Sequence, residues 1–226
     1  MADVLVVGST GLIGRTFLES IRKNKPHTNV VALTRRKIEY PENAHNIKQR
    51  VVDFDRLNDY KDVLAATTTF CALGTTIKKA GTKDQFRYVD YKLPLAVAKA
   101  VLENNCERFI LISAVGANAE SGVFYNRTKG ELEKEIQKLP FKSIHILRPS
   151  LLMGKRDEVR FAEVLGKIVL QPVRRLIPMK YRPIHAAEIA EKVVELLKSE
   201  KPGVYIYEGA ALRVRRPAPV QQAQAK

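Results

Sequence analysis

The feature that most constrains this chain is the alternation of short apolar runs with longer stretches of helical periodicity. The longer stretches carry apolar residues at the spacing of one helix face. Continuous apolar strands separated by helices are typical of parallel strands that are covered on both faces. We therefore predict an α/β fold with a doubly wound parallel sheet. The predicted strands cover residues 4–7, 30–33, 47–54, 68–73, 108–113, 143–149 and 203–209.

The length of 226 residues suits one domain. The alternation weakens after the sixth strand, so we predict a single domain over 1–209 in which 150–209 form a small C-terminal lobe. A helical pattern over 159–176 fits a substrate lid, a dimer surface or part of the core. Residues 210–226 combine basic residues, two prolines and three glutamines with little apolar periodicity. We predict that they form a disordered basic tail.

The net charge of +15 admits nucleic acid, a membrane surface or a polyanionic small molecule as a ligand. Nucleic acid ranks last, because no basic run reaches the length of a binding arm and no binding module is recognisable. No apolar run is long enough to span a membrane, and the N-terminus lacks the features of a secretory signal. Cys71 and Cys106 predict buried free thiols, without a disulfide or zinc site. These features predict a cytoplasmic protein with no metal and no integral membrane segment.

The first predicted strand runs directly into GSTGLIG, a glycine-rich turn that precedes a predicted helix. A glycine turn in this context lets the backbone approach a pyrophosphate, whose charge then faces the helix N-terminus. The glycine spacing differs from the G-x-G-x-x-G of many dehydrogenases, and a plain tight turn is the alternative interpretation. We predict that the turn binds a dinucleotide through Gly8, Thr10, Gly11, Leu12, Ile13 and Gly14.

The second predicted strand ends in ALTRR. An NAD site usually has an acidic residue about 20 positions after the glycines, where it binds the ribose 2′-hydroxyl. Arg35 and Arg36 occupy this place, and two cations suit a 2′-phosphate. We therefore predict NADP(H) as the cofactor in preference to NAD(H). A solvated basic turn is the alternative interpretation.

The ends of the third and fourth predicted strands supply further cofactor contacts. We predict that Asp53 accepts a hydrogen bond from the adenine amino group, with Phe54 beside the ring. Helix capping ahead of Leu57 is the alternative role for Asp53. Leu73 and Gly74 end the fourth strand, where a glycine lets the ribose and nicotinamide lie against the backbone.

The fifth predicted strand ends at Ser113, and Tyr125 and Lys129 follow at the start of a helix predicted over 125–139. Side chains four residues apart project from the same helix face. An ammonium beside a phenol lowers the pKa of the phenol, which suits a group that exchanges a proton with a carbonyl oxygen. We predict that Tyr125 and Lys129 are catalytic and that Ser113 binds a substrate carbonyl. Taken alone, the Tyr-x-x-x-Lys spacing also fits an ordinary amphipathic helix start.

The order of the glycine turn, Ser113, Tyr125, Lys129 and an Arg-Pro pair after the sixth strand resembles the atypical branch of the short-chain dehydrogenase/reductase superfamily. More narrowly, LTRRK, VVDFDRLNDY, CALGTT, KAG, YVDY and KGELE resemble the oxidoreductase family of HIV Tat-interacting protein 2 (CC3) and its bacterial relatives. The resemblance implies a Rossmann-type fold, NADP(H) binding and the three catalytic positions. It also implies that Lys129 holds the nicotinamide ribose and that Pro149 lies in the loop beside the nicotinamide.

The relay asparagine of many superfamily members has no clear match here. Asp90, within a long helix predicted over 83–104, lies near its place. Two function classes stay open. The first is an NADPH-dependent reductase of a small carbonyl or related substrate. The second is an NADP(H)-dependent regulatory binding protein whose output is contact with a protein partner, and a homodimer is also open.

Overall fold

A computed structural model describes residues 2–25, 27–39, 45–153 and 178–214 of the chain. Its main sheet has seven parallel strands in the order β3-β2-β1-β4-β5-β6-β9, which confirms the predicted doubly wound, Rossmann-type fold. A second, two-stranded parallel ladder joins β7 to β8. The strands are β1 (Ala2–Val7), β2 (Val30–Thr34), β3 (Ile47–Val51), β4 (Ala66–Cys71), β5 (Arg108–Ile112), β6 (Ser143–Arg148), β7 (Leu152–Met153), β8 (Ile184–His185) and β9 (Gly203–Glu208).

Helices connect the strands and cover both faces of the sheet. Short 3₁₀ helices cover Leu57–Tyr60, Met179–Tyr181 and Gly209–Leu212, and a π-helical segment covers Tyr88–Lys92. The α-helices are α1 (Leu12–Asn24), α2 (Lys61–Leu64), α3 (Ile77–Ala80), α4 (Lys83–Arg87), α5 (Leu93–Glu103), α6 (Phe124–Ile136) and α7 (Ala186–Leu196).

The core lies in two layers, one on each face of the sheet. Leu5 and Val7 of β1 face the layer that includes residues of α5 and α6, whereas Val4 and Val6 face the layer with α1 and α7. Successive side chains of a strand point to opposite faces, so a strand covered on both sides must be apolar throughout. This is the physical reason that continuous apolar runs were informative. Both cysteines are buried free thiols, as predicted.

The long helix predicted over 83–104 is divided in the structure. The π-helical segment separates α4 from α5, and the N–H of Leu93 reaches back five residues to the carbonyl of Tyr88. Pro94 in the first turn of α5 has no N–H to offer the carbonyl four residues earlier, which weakens the α-helical ladder at this point. The wider turn accommodates this gap in donors.

The C-terminal third, predicted as a small lobe of the single domain, is joined directly to the main sheet. Strand β9 pairs with β6 along its length, and α7 packs in the same core layer as α1. Leu212 is 1% exposed and Arg213 pairs with Glu188, so the predicted disorder does not begin at residue 210. The predicted helix over 159–176 and the tail beyond residue 214 lie outside the described residues.

The described ranges 2–25, 27–39, 45–153 and 178–214 also bear on membrane spanning and metal binding. Among these residues no helix combines the length and apolar character needed to cross a membrane. The same part of the chain contains no cluster of three or more His, Cys, Asp or Glu side chains suited to a metal ion.

Candidate active site

The glycine turn between β1 and α1 is built by close backbone contacts. Gly8 has a φ of +88°, and a Cβ at this position would lie 2.5 Å from the backbone of Ala72 at the end of β4. A Cβ at Gly14 would overlap the carbonyl oxygen of Gly8. Gly11 is the N-cap residue of α1 and makes no side-chain capping bond. The first N–H groups of this helix, at the carboxyl edge of the sheet, are therefore left for another acceptor. This arrangement suits an anionic ligand such as a pyrophosphate.

The other predicted residues of this turn differ in accessibility. Thr10 and Gly11 are exposed and Leu12 is half-buried, whereas the side chain of Ile13 is buried among the apolar residues of the α1 layer. Ile13 can therefore contact a ligand at this turn only through its backbone.

The loop after β2 presents two exposed arginines on a backbone that is held in place. Arg35 and Arg36 are both exposed. The Gln49 amide nitrogen donates to Thr34 Oγ1 at 2.9 Å and to the carbonyl of Arg36 at 3.2 Å. Two cations thus lie next to the glycine turn, because β2 pairs with β1 in parallel.

The third strand end differs in part from the prediction. Asp53 is exposed, and its Oδ1 accepts a hydrogen bond from the N–H of Asp55 at 3.0 Å. It does not cap the following 3₁₀ helix, whose N-cap residue is Arg56. Phe54 is 7% exposed and its side chain packs in the core, so its position supports a structural role, and contact of its ring with an adenine stays a prediction. An aromatic residue after a strand can pack in the core or contact a ligand, and the sequence does not distinguish these two roles.

Tyr88 supplies an aromatic side chain near the third strand end that the sequence pattern did not single out. Its phenol donates to Asp55 Oδ1 at 2.6 Å. This hydrogen bond, with burial and the charges of Asp55 and Asp53, raises the pKa of Tyr88 to about 12, and Arg35 opposes the rise. Tyr88 and Asp55 therefore join the π-helical segment to the carboxyl edge of β3.

Lys129 and Asp90 form a buried ion pair beside the fourth strand end. Lys129 Nζ lies 2.8 Å from Asp90 Oδ1, and the other carboxylate oxygen accepts the N–H of Thr75 at 2.8 Å. A Cβ at Gly74 would lie 3.3 Å from the carboxylate and 3.6 Å from the ammonium. Gly74 therefore lets the pair lie against the backbone just beyond the half-buried Leu73.

Tyr125 lies one helical turn before Lys129, at the start of α6. Its ring contacts that of Phe86 with centroids 5.5 Å apart. Burial raises the pKa of Tyr125; Lys129 opposes this rise and Asp90 reinforces it. The predicted lowering of the phenol pKa is therefore wrong for the protein alone, because burial, reinforced by the charge of Asp90, outweighs the effect of the ammonium. The Tyr125–Lys129 pair is recognisable in the sequence, whereas Asp90, the carboxylate beside Lys129, lies on a different helical segment.

Ser113 faces a second buried network instead of an open site. Its hydroxyl donates to Glu133, which is 2% exposed. Arg148 holds both oxygens of Glu133, with Nε at 3.0 Å from each, and its Nη1 lies 2.8 Å from Glu208. A serine has one hydroxyl proton, so in this arrangement Ser113 cannot also donate to a substrate carbonyl.

Two functional candidates, Asp90 and Glu133, were not among the predicted site residues. Glu133 follows Lys129 by four residues and therefore shares a helix face with it and with Tyr125. That spacing was a usable signal. Pro149 lies where it was expected, after β6, and its carbonyl accepts the N–H of Val115 at 2.9 Å. This bond ties the loop after β5 to the end of β6.

The geometry defines a protein with the fold of the short-chain dehydrogenases/reductases and a Tyr-x-x-x-Lys helix at the carboxyl edge of the sheet. The chain belongs to the HIM1 family, whose family model matches residues 34–180. It is 34% identical to Protein HTATIP2 of Rattus norvegicus over 73% of this chain and 69% of that protein. It is 32% identical to Protein FMP52, mitochondrial, of Eremothecium gossypii over 93% of this chain and 95% of the relative.

Solved structures show the same fold at lower sequence identity. MoeE5 in complex with UDP-glucose and NAD superimposes with a TM-score of 0.70 at 17% identity, covering 91% of this chain and 75% of that one. A putative NAD-dependent epimerase/dehydratase from Bacillus halodurans gives 0.67 at 20% identity, covering 89% and 91%.

The prediction of a cytoplasmic protein is wrong in the light of these relatives. FMP52 proteins of several fungi, among them Candida albicans and Debaryomyces hansenii, are named mitochondrial. The features that suggested the cytoplasm were the lack of a recognisable secretory signal and the free thiols. Neither feature distinguishes the cytoplasm from another reducing compartment.

Proposed function

We propose that the protein is an NADP(H)-dependent oxidoreductase of the atypical short-chain dehydrogenase/reductase class that acts on a small carbonyl or related substrate. The observation that carries the proposal is a short series of contacts along the end of β4. The glycine turn lies against the backbone of Ala72, and two residues further on Gly74 lies beside the carboxylate of Asp90 and the ammonium of Lys129. A dinucleotide with its pyrophosphate at the turn would thus lead its ribose and nicotinamide toward Lys129 and Tyr125.

Four parts of the predicted site, the glycine turn, Asp53, Lys129 and Tyr125, have positions that support their proposed roles. The glycine turn and the N-terminus of α1 hold the pyrophosphate, and Asp53 lies at the adenine end. Lys129 binds the nicotinamide ribose, for which its ammonium has donors besides the one that meets Asp90. Tyr125 exchanges a proton with the substrate oxygen. The nicotinamide, when bound, supplies or accepts the hydride, and MoeE5, which shares the fold, is described in complex with NAD.

The preference for NADP(H) rests on Arg35 and Arg36, which are exposed beside the place of the ribose 2′-position. Purified protein should be titrated with NADPH and NADH by fluorescence, alongside an Arg35→Asp/Arg36→Ala variant. We expect tighter binding of NADPH, and a loss of at least about tenfold in the variant, since a bidentate charged contact contributes roughly 1.5–3 kcal/mol. NADH binding should change far less.

A matched control carries the same charge change at the other end of α1. Lys23→Asp/Lys25→Ala alters two cations near the C-terminus of that helix, away from the glycine turn. It should bind NADPH as the unmodified protein does. If both variants weaken NADPH binding equally, the effect is one of net charge and the specific role of Arg35 and Arg36 is lost. If neither nucleotide binds the unmodified protein, the glycine turn is only a turn and the proposed function fails.

One observation favours the second candidate function, a regulatory protein that binds NADP(H) without turnover. The hydroxyl proton of Ser113 is directed to Glu133, so the predicted pair of donors to a carbonyl oxygen is reduced to Tyr125. A screen of small aldehydes and ketones for NADPH consumption separates the two functions. Consumption that is lost in Tyr125→Phe supports the enzyme. Tight NADPH binding that is equal in both proteins, with no consumption, supports the regulator.

A further inference from the structure

The buried carboxylate of Asp90 is the feature that the proposed roles of Tyr125 and Lys129 do not explain. Asp90 is 0% exposed, and both of its oxygens have partners, the ammonium of Lys129 and the N–H of Thr75. A buried carboxylate is costly unless it is paired. Its place beside the predicted proton-exchanging group therefore calls for a reason beyond packing.

The backbone delivers Asp90 to this position through the π-helical segment between α4 and α5. Each residue of an α-helix advances the side-chain direction by about 100°, so a turn with one extra residue redirects every side chain relative to the helix before it. Phe86 of α4 packs on the ring of Tyr125, and Asp90 still reaches Lys129 one turn further along α6. Wider turns of this kind are frequent at functional sites.

We propose that Asp90 is a positioning residue that holds Lys129 and cancels its charge, so that Tyr125 keeps its phenolic proton up to a higher pH and the site favours reduction of a carbonyl. The inference rests on the proposed function for the direction of reaction, but the charge control itself does not need a cofactor. Asn at this position would hold Lys129 without cancelling its charge. The difference between a carboxylate and an amide at residue 90 is therefore the point to test.

The charges that face Tyr125 and Lys129 come from three elements. Lys129 lies on the same helix, Asp90 on the π-helical segment, and the thiol of Cys71 at the end of β4. Burial disfavours the ammonium, yet Asp90, Tyr125 and Cys71 together raise the pKa of Lys129. Burial also raises the pKa of Cys71 to about 11, so this thiol carries no charge at neutral pH. The ammonium of Lys129 and the carboxylate of Asp90 thus have opposite effects on Tyr125, and together they carry no net charge.

In the proposed reduction, a bound reduced nicotinamide would supply a hydride to the carbonyl carbon, and Tyr125 would give its phenolic proton to the carbonyl oxygen. The products are the alcohol, the oxidised nicotinamide and the phenolate, which regains its proton from solvent. A phenol that is protonated before the substrate arrives is ready for this direction, whereas alcohol oxidation needs the phenolate first.

The test is a pH titration of phenolate absorbance in the cofactor-free protein, comparing the unmodified chain with Asp90→Asn. The chain has eight tyrosines, so the same titration in Tyr125→Phe backgrounds isolates the signal of Tyr125. Without Asp90, loss of the phenolic proton converts a charged pair into a neutral one. We expect Tyr125 in Asp90→Asn to titrate at least about one pH unit lower, a tenfold change in its acid dissociation constant. Asp84→Asn, at an exposed position of α4, is the control and should not shift it.

Two outcomes overturn the inference. One is a titration of Tyr125 that Asp90→Asn leaves unchanged, and the other is a shift that persists when Tyr125 is replaced by Phe. Should Asp90→Asn fail to fold, Asp90→Asn/Lys129→Met removes both charges together. It should leave the titration of Tyr125 within about half a unit of the unmodified protein. If Tyr125 titrated at a clearly lower pH in that double variant, the ion pair would not control the titration of the phenol.

The proposed function can fail separately. If the predicted shift occurs but NADPH does not bind, Asp90 controls the charge of Tyr125 in a protein that is not an NADP(H) oxidoreductase. If NADPH binds and the shift does not occur, the cofactor site stands and this role for Asp90 is wrong. In an active enzyme, Asp90→Asn should also lower the pH at which reduction declines, and it should affect kcat more than the KM for NADPH.

Discussion

Two buried ion pairs lie one turn apart on α6, and they differ in how completely their groups are satisfied. Glu133 receives Ser113 and two nitrogens of Arg148, and Arg148 also meets Glu208, so this network is closed. Within the described residues Lys129 meets one carboxylate oxygen, which leaves ammonium donors for a ligand. On the same helix, therefore, each member of the closed network is bonded to another member of it, whereas the incomplete pair keeps donors that a ligand could meet.

The largest expected effect separates the two networks by activity. With any carbonyl substrate that the protein reduces, Tyr125→Phe should lower kcat/KM by about 10²–10⁴-fold, the usual contribution of a proton donor. Ser113→Ala should lower it by less than about tenfold, because its hydroxyl is bonded to Glu133 and a typical hydrogen bond contributes only about 1 kcal/mol. Steady-state NADPH oxidation measures both. Equal losses would show that Ser113 binds the carbonyl, as the sequence suggested, and would break the comparison.

The closed network should matter most for stability. Glu133→Ala leaves Arg148 without its main partner and should lower the free energy of unfolding by about 3 kcal/mol, as when one member of a buried pair is removed. Urea denaturation followed by circular dichroism measures this. The control is Glu131→Ala, two residues away, which breaks a half-exposed pair with Arg87 and should cost at most about 1 kcal/mol. Similar losses in the two variants would show that the closed network contributes no more to stability than a half-exposed ion pair.

Gly14→Ala extends the comparison to a place where backbone, not charge, shapes the site. The added Cβ overlaps the carbonyl of Gly8, so the turn must move. We expect a loss of about 1–3 kcal/mol in stability, as for other overpacking changes, and weaker NADPH binding. Gly122→Ala is the matched control, since a Cβ there meets nothing within 4 Å. Unchanged NADPH affinity in Gly14→Ala would mean that the dinucleotide does not lie on this turn.

The smallest expected effect concerns a buried group that stays neutral instead of pairing. Burial, with Arg108 and Lys192, lowers the pKa of His145 to about 4. Between pH 4 and the usual value near 6.5 the unfolded chain binds the proton and the folded chain does not, so stability falls as the pH falls. Over this range His145→Gln should lose less stability than the unmodified protein, by at least about 1 kcal/mol, the linkage of a single pKa unit. Unfolding free energies of the two proteins should be measured at pH 4.5 and 7. An equal loss of stability in both proteins would contradict the prediction that His145 is neutral in the folded protein over this range.

Much of the site could be predicted because its parts recur locally in the chain. The glycines at 8, 11 and 14, the arginines after β2 and the pair Tyr125–Lys129 each follow a strand end or begin a helix, and parallel strands bring those ends to one edge. Other features of the site depend on the fold. The burial of Phe54, the hydroxyl bond of Ser113 and the raised pKa of Tyr125 depend on residues that lie across from them, and among these neighbours the helical spacing gives a signal only for Glu133.

The sequence by itself determined the parallel sheet, its order of strands and helices along the chain, and the edge at which the candidate site residues lie, because hydrophobic periodicity and glycine turns are local signals. Only the tertiary structure decided the protonation of the candidate site. Pro94 and the π-helical turn bring Asp90 to Lys129 from a helix about 40 residues away along the chain, while Glu133 takes the proton of Ser113. Electrostatic interactions act through space and grow stronger with burial, so they depend on the folded arrangement and not on the order of residues.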